Sequence, residues 1–239
     1  MNRLEVLGLP LDPVGFEEAL ARIEGFLARP GLDPVVTLNP ELVVRAQGDP
    51  ELVRAVRRAS LVTADGVGIL WAARRLYGVR LAERVTGVEL TEALLVRGGA
   101  RLSVFFLGGR PGVAERAAEN ARARWGVRVA GAHHGYFEDE EAVVQAVRRA
   151  APDLLLVGLG ERQEKFVEAH REVLRARVAL SVGGTLDVLA GTARRAPAWT
   201  RRLGLEWAWR VGTDPRRWRR GFRLVRFWYL VEKARRSVS

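Results

Sequence analysis

The sequence predicts an α/β protein whose core is a doubly wound, mostly parallel, Rossmann-like sheet. Short apolar or β-branched runs bounded by glycine, asparagine or aspartate are typical of buried parallel strands, and segments with helical periodicity lie between them. The predicted strands are 34–37, 60–63, 103–107, 153–157 and 178–182. A change of composition near residue 195 is the third observation, and it predicts that a helical, basic and aromatic-rich appendage follows the core.

The clearest helical period lies at 16–27. Apolar residues stand at positions 16, 20, 23 and 27, which places them on one face of a helix. We expect Asp12-Pro13 to supply the cap and first turn, because aspartate accepts hydrogen bonds from helix amides and proline suits the first turn.

Each predicted strand is followed by small or turn-forming residues and then by a helical segment. The five exits read TLNPE, TADGVG, LGGRPG, GLGERQE and VGGTLD. In an open parallel sheet such exits gather at the carboxyl edge, where ligands bind. Gly108 and Gly109 precede a helix, so they are the best candidates for a turn that holds a diphosphate on backbone N–H groups. The alternative for each glycine-rich exit is a tight turn without a ligand.

Several polar residues at these exits are candidates for chemistry. Asp65 is suited to take a proton from a hydroxyl, although Asp-Gly is also a common turn whose aspartate caps the next helix. Thr37 and Asn39 suit hydrogen bonds to a base or sugar, or alternatively an Asn-Pro turn. Gln163 has the same two interpretations, and Arg84 is either a surface cation or a phosphate clamp.

The sequence lacks the motifs of several familiar classes of enzymes and cofactor-binding proteins. The chain has no cysteine, which excludes disulfides and thiolate chemistry. It has no GxGxxG after a strand, no GxxxxGK[ST] and no GxSxG. His133 and His134 are adjacent, so in a strand they would point to opposite faces, and HHGYF is interpreted as a structural or loop element. We therefore expect neither a metal site nor a cofactor.

Basic charge is concentrated at the carboxyl end. Residues 190–239 contain 14 basic and 3 acidic side chains, whereas the first 189 residues contain 25 of each. Five of the seven tryptophans also lie in this last fifth. The boundary predicts a core at 1–195 and an appendage at 196–239.

The segment DPRRWRRGFRLVRFWYL, residues 214–230, is predicted to form a basic helix with an aromatic stripe. On a helical wheel the stripe consists of Trp218, Phe222, Val225 and Tyr229, and the opposite half is basic but interrupted by Phe227 and Leu230. Such a helix can lie on an anionic bilayer with its aromatic side chains at the headgroup level. One alternative is that the stripe packs on the core and the arginines are solvated. The other is a nucleic-acid binder, since arginines with interleaved aromatic rings also suit phosphates and bases.

The amino terminus meets charged residues too early for a signal peptide, and no apolar run approaches the roughly 18 residues that a spanning helix needs. From these features we expect a soluble or peripheral protein.

Taken together, the exits resemble those of the WecG/TagA/CpsF glycosyltransferases. The resemblance rests on TLNPELV at 37–43, ADGVGILWAAR at 64–74, ERVTGVEL at 83–90, FFLGGRPGVAERAA at 105–118 and HGYF at 134–137. It continues through PDLLLVGLG at 152–160, QEKFV at 163–167, VGGTLDVLAGTARRAPAW at 182–199 and GLEWAWR at 204–210. Because the motifs cover nearly the whole chain in order, the resemblance is far more specific than any single turn.

The resemblance implies an inverting, metal-independent transfer of a sugar, most often N-acetylmannosamine, from a UDP-sugar to a polyprenyl-diphosphate-linked N-acetylglucosamine. Such a reaction belongs to the synthesis of cell-wall teichoic acid, common antigen or exopolysaccharide. It also implies a cytoplasmic protein held peripherally on the inner face of the cell membrane, and a homo-oligomer is possible.

The family motifs carry over to individual positions. By this resemblance Asp65 is the general base, and Thr37, Asn39, Arg84 and Gln163 contact the substrates. The appendage motif falls on Glu206, Trp207, Arg210, Pro215, Arg217 and Arg220, of which the three arginines are expected to bind diphosphate. The residues expected to meet the membrane are Trp218, Arg219, Phe222, Arg223, Arg226 and Trp228. The chain reads GERQE where the family usually reads GAPKQE, so the loop before Gln163 is one residue shorter.

Overall fold

The structure is a computed structural model, and it describes residues 3–193 and 218–236, with side chains at 3–193 and 222–236. Its strands are β1 (Leu4–Val6), β2 (Leu9–Leu11), β3 (Asp33–Leu38), β4 (Leu61–Ala64), β5 (Ser103–Gly108), β6 (Arg128–His133), β7 (Leu154–Gly158) and β8 (Val178–Ser181). Its helices are α1 (Phe16–Leu27), α2 (Pro40–Ala46), α3 (Pro50–Arg57), α4 (Val67–Tyr77), α5 (Gly87–Gly98), α6 (Val113–Trp125), α7 (Glu140–Ala150), α8 (Gln163–Ala169), α9 (Thr185–Leu189) and α10 (Trp218–Arg236). Short 3-10 helices lie at Gly99–Arg101 and Gly160–Arg162.

Six strands form one parallel sheet in the order β4-β3-β8-β7-β5-β6. All five strands expected from the sequence are present, which confirms the α/β class. The innermost strands are buried along almost their whole length, as both faces of a doubly wound sheet are covered by helices.

The sequence patterns missed three strands. β6 is the edge strand, and its RVAGAH segment is only partly buried because nothing pairs with its outer side within the described chain. It therefore lacks the continuous apolar run that identifies a central strand. β1 and β2 form a separate antiparallel hairpin of three residues each, too short to show a period.

Helices cover the two faces of the sheet and create separate cores. Val104 and Phe106 of β5 point to the side covered by α1, α5, α6 and α9. Phe105 and Leu107 of the same strand point to the opposite side, where they pack with α7 and α8. Farther along that side, β3 and β4 pack against the β1–β2 hairpin, α2, α3, α4 and α10.

The predicted cap of α1 is wrong. The helix begins at Phe16 with Gly15 as its cap residue and no side-chain cap. Asp12 is instead buried: its Oδ2 accepts from the backbone N–H of Val62 at 2.7 Å, and its Oδ1 accepts from Arg3 Nε at 2.9 Å. The carboxylate therefore joins the segment before the helix to β4.

Helix α10 packs on the core through α2 and α4. Phe227 and Val231, one turn apart, are buried in the core on that side of the sheet. Arg75 of α4 makes a bidentate ion pair with Glu232, with N–O distances of 2.6 and 2.9 Å. This pair lowers the pKa of the Glu232 carboxyl.

The aromatic stripe of α10 faces outward. Of the predicted stripe, Phe222, Val225 and Tyr229 are between 59% and 77% exposed, and the side chain of Trp218 lies outside the described part. The neighbouring Trp228 is 56% exposed, so these described side chains are not the ones that pack on the core. The buried contact is made by Phe227, which the helical wheel assigned to the basic half. Within the described residues, no helix is both long enough and apolar enough to cross a bilayer.

Candidate active site

The strand order creates a cleft at the carboxyl edge between β5 and β7. The chain leaves β5 through α6 towards β6, whereas it leaves neighbouring β7 through α8 towards β8 on the other side. The two helices cover opposite faces of the sheet. Adjacent strands whose connections diverge leave a crevice outside their carboxyl ends, which is where open α/β sheets bind ligands.

Asp65 and Asn39 lie beside each other in the part of this edge formed by β3 and β4. The backbone N–H of Asp65 donates to the carbonyl of Leu38 at 2.8 Å, which continues the pairing of the two strands. Thr37 stands two residues before Asn39 on β3 and is buried. The cap residue of α4 is Gly66, so Asp65 lies one position before the cap, at the end of the strand.

Asn39 has the structural role that the Asn-Pro sequence suggests. It is the N-cap of α2, and its Oδ1 accepts from the backbone N–H of Leu42 at 2.9 Å, with Pro40 at the first helical position. Its amide nitrogen is a second polar group that this cap does not use. The cap and a ligand contact are therefore compatible.

The segment that carries Arg84 runs along the same edge. The backbone N–H of Val85 donates to the carbonyl of Ala64 at 2.7 Å, directly before Asp65. Thr86 caps α5, whose first residue is Gly87. A Cβ on Gly87 would lie 3.5 Å from Thr37 Oγ1, so α5 begins against β3. The structure thus brings the segments of Thr37, Asp65 and Arg84 together.

Gly108 and Gly109 form the turn over the crevice. Gly108 has φ of +137°, and a Cβ there would lie 2.3 Å from the carbonyl oxygen of Gly158. Only glycine permits this backbone conformation and this approach between the two strand ends. The turn leads through Gly112 into α6, a helix of 13 residues.

The HGYF loop packs on this turn. The backbone N–H of Gly135 donates to the carbonyl of Gly109 at 2.8 Å, and Arg162 Nη2 donates to the carbonyl of Gly135 at 2.6 Å. Arg162 also stacks over Phe137 at 4.3 Å. HHGYF thus consists of the last residue of β6 and a loop that supports the cleft. Tyr136, which the sequence reasoning missed, is 70% exposed next to the turn; an aromatic ring among turn residues was its only sequence signal.

Gln163 is buried at the start of α8 and joins two strand exits. Its Oε1 accepts from the backbone N–H of Gly183 after β8 at 3.2 Å, and its Nε2 donates to Glu164 Oε1 at 2.7 Å. Glu164 is also buried, and its Oε2 has no hydrogen-bond partner among the described residues. Burial raises the pKa of the Glu164 carboxyl, against the smaller opposing effect of the Gln163 hydrogen bond.

The appendage arginines are only partly described. Arg210 and Arg217 lie outside the described residues, as do Glu206, Trp207 and Pro215. The backbones of Trp218, Arg219 and Arg220 lie in α10, but their side chains are outside the described part. Their predicted contacts therefore stay predictions. Among the described residues, no three His, Cys, Asp or Glu side chains form a group suited to a metal ion.

The fold and this edge define a doubly wound α/β protein with a ligand cleft at its topological switch point. The sequence pattern of the glycosyl transferase WecG/TagA/CpsF family matches residues 4–239. A protein from Staphylococcus aureus strain MRSA252, named N-acetylglucosaminyldiphosphoundecaprenol N-acetyl-beta-D-mannosaminyltransferase, is 32% identical over 242 residues. The alignment covers 99% of this chain and 95% of the relative. The protein of the same name from strain NCTC 8325 has the same identity and coverage.

The chain belongs to the WecG/TagA/CpsF family and is a glycosyltransferase. This confirms the family that its motifs resemble.

Proposed function

We propose that the protein transfers a sugar from a UDP-sugar to a polyprenyl-diphosphate-linked N-acetylglucosamine, with inversion and without a metal ion. N-acetylmannosamine is the proposed donor sugar, because the relatives' names contain that transfer. The observation that carries the proposal is the position of Asp65, beside Asn39 and the Arg84 segment, on the same sheet edge as the glycine turn.

The donor nucleotide is assigned to the crevice between β5 and β7. Gly108 and Gly109 allow the backbone to approach a diphosphate, and the start of α6 offers N–H groups and a positive dipole end. The exposed ring of Tyr136 beside the turn suits stacking on the base. Gln163 holds the exits of β7 and β8 together, and β7 is one of the two strands that border this crevice.

The proposed reaction needs one base and cations for the leaving group. Asp65 takes the proton of the acceptor hydroxyl, whose oxygen attacks the anomeric carbon while that carbon's bond to the UDP oxygen breaks. The leaving UDP carries the electron pair away as negative charge. Arg84 and the appendage residues Arg210, Arg217 and Arg220 are assigned to that charge and to the acceptor diphosphate.

The acceptor's polyprenyl chain resides in a bilayer, so the proposed reaction takes place at a membrane surface. The exposed aromatic face of α10 supports this, because Phe222, Val225, Trp228 and Tyr229 present apolar area beside basic residues. Each basic group near an anionic surface contributes about 1 kcal/mol to attraction. We therefore propose a peripheral location on the inner face of the cell membrane.

The test is UDP release by the purified protein with a panel of UDP-sugars, a short-chain polyprenyl-diphosphate-N-acetylglucosamine acceptor and EDTA. Acceptor-dependent release with one sugar is expected, and it would establish the donor and the absence of a metal requirement together. Folded protein that releases no UDP across the panel would contradict the proposal.

Nucleic-acid binding is the competing function for the basic appendage. The two are separated by retention on anionic liposomes and on DNA at about 0.15 M salt, where long-range attraction is largely screened. The proposed function requires retention on liposomes alone.

A further inference from the structure

Arg223 of α10 bridges two carboxylates that belong to different strand exits. Its Nη1 lies 2.6 Å from Glu41 Oε1 and 2.7 Å from Glu161 Oε1. The side chains of Arg223 and Glu41 are about one-third exposed or less, whereas that of Glu161 is 64% exposed, so the contact with Glu41 is the better shielded from water. Its hydrogen bond to Glu161, followed by smaller effects of Glu41, raises the pKa of the guanidinium.

The two carboxylates lie on opposite sides of β8. Glu41 is in the first turn of α2, two residues after Asn39 on the β3 exit. Glu161 is in the 3-10 helix after β7, two residues before Gln163. Since β8 lies between β3 and β7 in the sheet, Arg223 joins the exits of the two strands that flank β8, and one of these strands, β7, also borders the cleft.

A second arginine holds the same loop. Arg45 of α2 donates from Nη2 to the backbone carbonyl of Glu161, and its Nε lies 4.0 Å from Glu161 Oε2. Glu161 is therefore fixed by α2 through Arg45 and by α10 through Arg223. Networks of this kind hold a geometry better than an isolated surface pair, which typically contributes less than about 1 kcal/mol.

We propose that Arg223 is a positioning residue for the donor site: by joining Glu41 to Glu161 it holds the shortened 158–163 loop, and with it Gln163, in the arrangement that receives the UDP moiety. The inference rests on the function proposed above, because that function makes UDP the ligand of this site. It gives α10 a part in shaping the cleft, in addition to any contact with a membrane. It also differs from the membrane contact that the helical wheel predicts for Arg223.

A double-mutant cycle tests this assignment on the full chain without membrane or acceptor. The variants are Arg223→Met, which keeps the aliphatic stem, Glu161→Gln, and the two combined. Arg223→Lys is the conservative rescue, since both contacts are made by one donor nitrogen. Arg236→Met is the matched control, as it removes an exposed cation near the other end of α10.

Two readouts are needed, namely amide hydrogen exchange over residues 158–169 without ligand and calorimetric affinity for UDP. We expect Arg223→Met to accelerate exchange in this segment and to weaken UDP about tenfold. In the Glu161→Gln background the same substitution should add little to either readout, because the ion pair that joins Arg223 to the 158–163 loop is already lost. Arg223→Lys should retain most of the affinity, and Arg236→Met should match the parent protein.

Three results would overturn the assignment. They are unchanged exchange and affinity in Arg223→Met, additive effects of the two substitutions, and faster exchange with unaltered UDP affinity, which would leave Arg223 a purely structural role. If the parent protein itself does not bind UDP, the donor proposed above fails and the positioning role for that donor fails with it. The hydrogen-exchange data alone would then still show whether Arg223 and Glu161 stabilise the loop together, because the effects of the two substitutions on exchange would not be additive.

Discussion

Single residues at this edge serve the fold and the proposed chemistry at the same time. Asn39 caps α2 with its oxygen, and Gln163 links two strand exits, so both residues have a structural role that is compatible with the substrate contacts proposed for them. The sequence predicts these positions because turn-forming residues follow strands in a parallel sheet. It does not predict that Glu164 is buried beside Gln163, because that burial depends on how α3 and α8 pack together.

Asp65→Asn is expected to remove most turnover. The amide keeps the shape of the side chain but does not accept the hydroxyl proton, and general-base catalysis typically contributes about 10²–10⁴-fold. Steady-state UDP release measures the loss, and circular dichroism and thermal unfolding verify that the fold is intact. A folded variant that turns over at the parental rate would disprove the role of Asp65.

Glu164→Gln is expected to change how stability depends on pH. Burial raises the folded-state pKa of Glu164 above its ordinary value of 4.5, so the folded protein holds this proton more tightly than the unfolded chain. The group therefore costs no stability below that value, and the cost grows as pH rises through the folded-state pKa. The glutamine stays neutral and keeps an oxygen for Gln163.

Thermal unfolding of both proteins from below pH 4.5 to neutral pH measures this effect. The variant should gain stability relative to the parent as pH rises, and the difference should vanish at the acid end. A difference that is constant across the range would show that Glu164 does not titrate abnormally.

Among the elements, α10 differs most from its sequence-based picture. The periodicity predicts a helix with an aromatic stripe, and the structure has both. The pattern does not reveal which apolar residues touch the core, because Phe227 interrupts the basic half of the helical wheel. It is recognisable as a core contact only once α2 and α4 are in place. The close approach of α4 to Pro40, where a Cβ on Gly68 would lie 2.6 Å from the proline ring, forms part of that surface.

Substitutions of two phenylalanines on α10 distinguish packing of the helix on the core from binding to a membrane surface. Phe227→Ala removes a ring buried against α4 and should cost about 3 kcal/mol of docking stability, as large-to-small core substitutions do. Hydrogen exchange along α10 should rise in this variant. Denaturant unfolding of the core then shows how far the loss spreads.

Phe222→Ala is the matched counterpart on the exposed face. Because Phe222 is largely open to water, its removal should leave unfolding unchanged and weaken retention on anionic liposomes by several-fold. Equal effects of the two substitutions on liposome retention would contradict an outward-facing membrane surface.

In the molecule as a whole, the sheet and the position of its cleft follow from the order of strands and exits. Five of the six strands and the family were predictable, since buried runs and exit motifs are local features of the sequence. The order of the strands in the sheet was not predictable from the sequence. The pairing of β3 with β8, for example, depends on contacts between segments that are distant in the chain. The division at residue 195 stays a prediction, although the described part of the appendage packs directly on the core.

Electrostatic attraction should make surface binding of the whole protein depend on salt. The net charge of +11 arises entirely from residues 190–239, so liposome retention should fall steeply as salt approaches about 1 M, where the screening length is only about 3 Å. Co-sedimentation across a salt series measures it. Retention that does not change with salt would mean that apolar contacts alone hold the protein.

The position of β8 also governs how the chain reaches its native state. Val178 pairs with Asp33 on one side and with Leu154 on the other, so β8 is the only link between the β4–β3 pair and the β7–β5–β6 group in the described sheet. The β4–β3 pair and the β7–β5–β6 group cannot join into one sheet until β8, at residues 178–181, is available. During synthesis, three-quarters of the chain must therefore emerge before the sheet can close, and its unpaired edges stay open to aggregation until then.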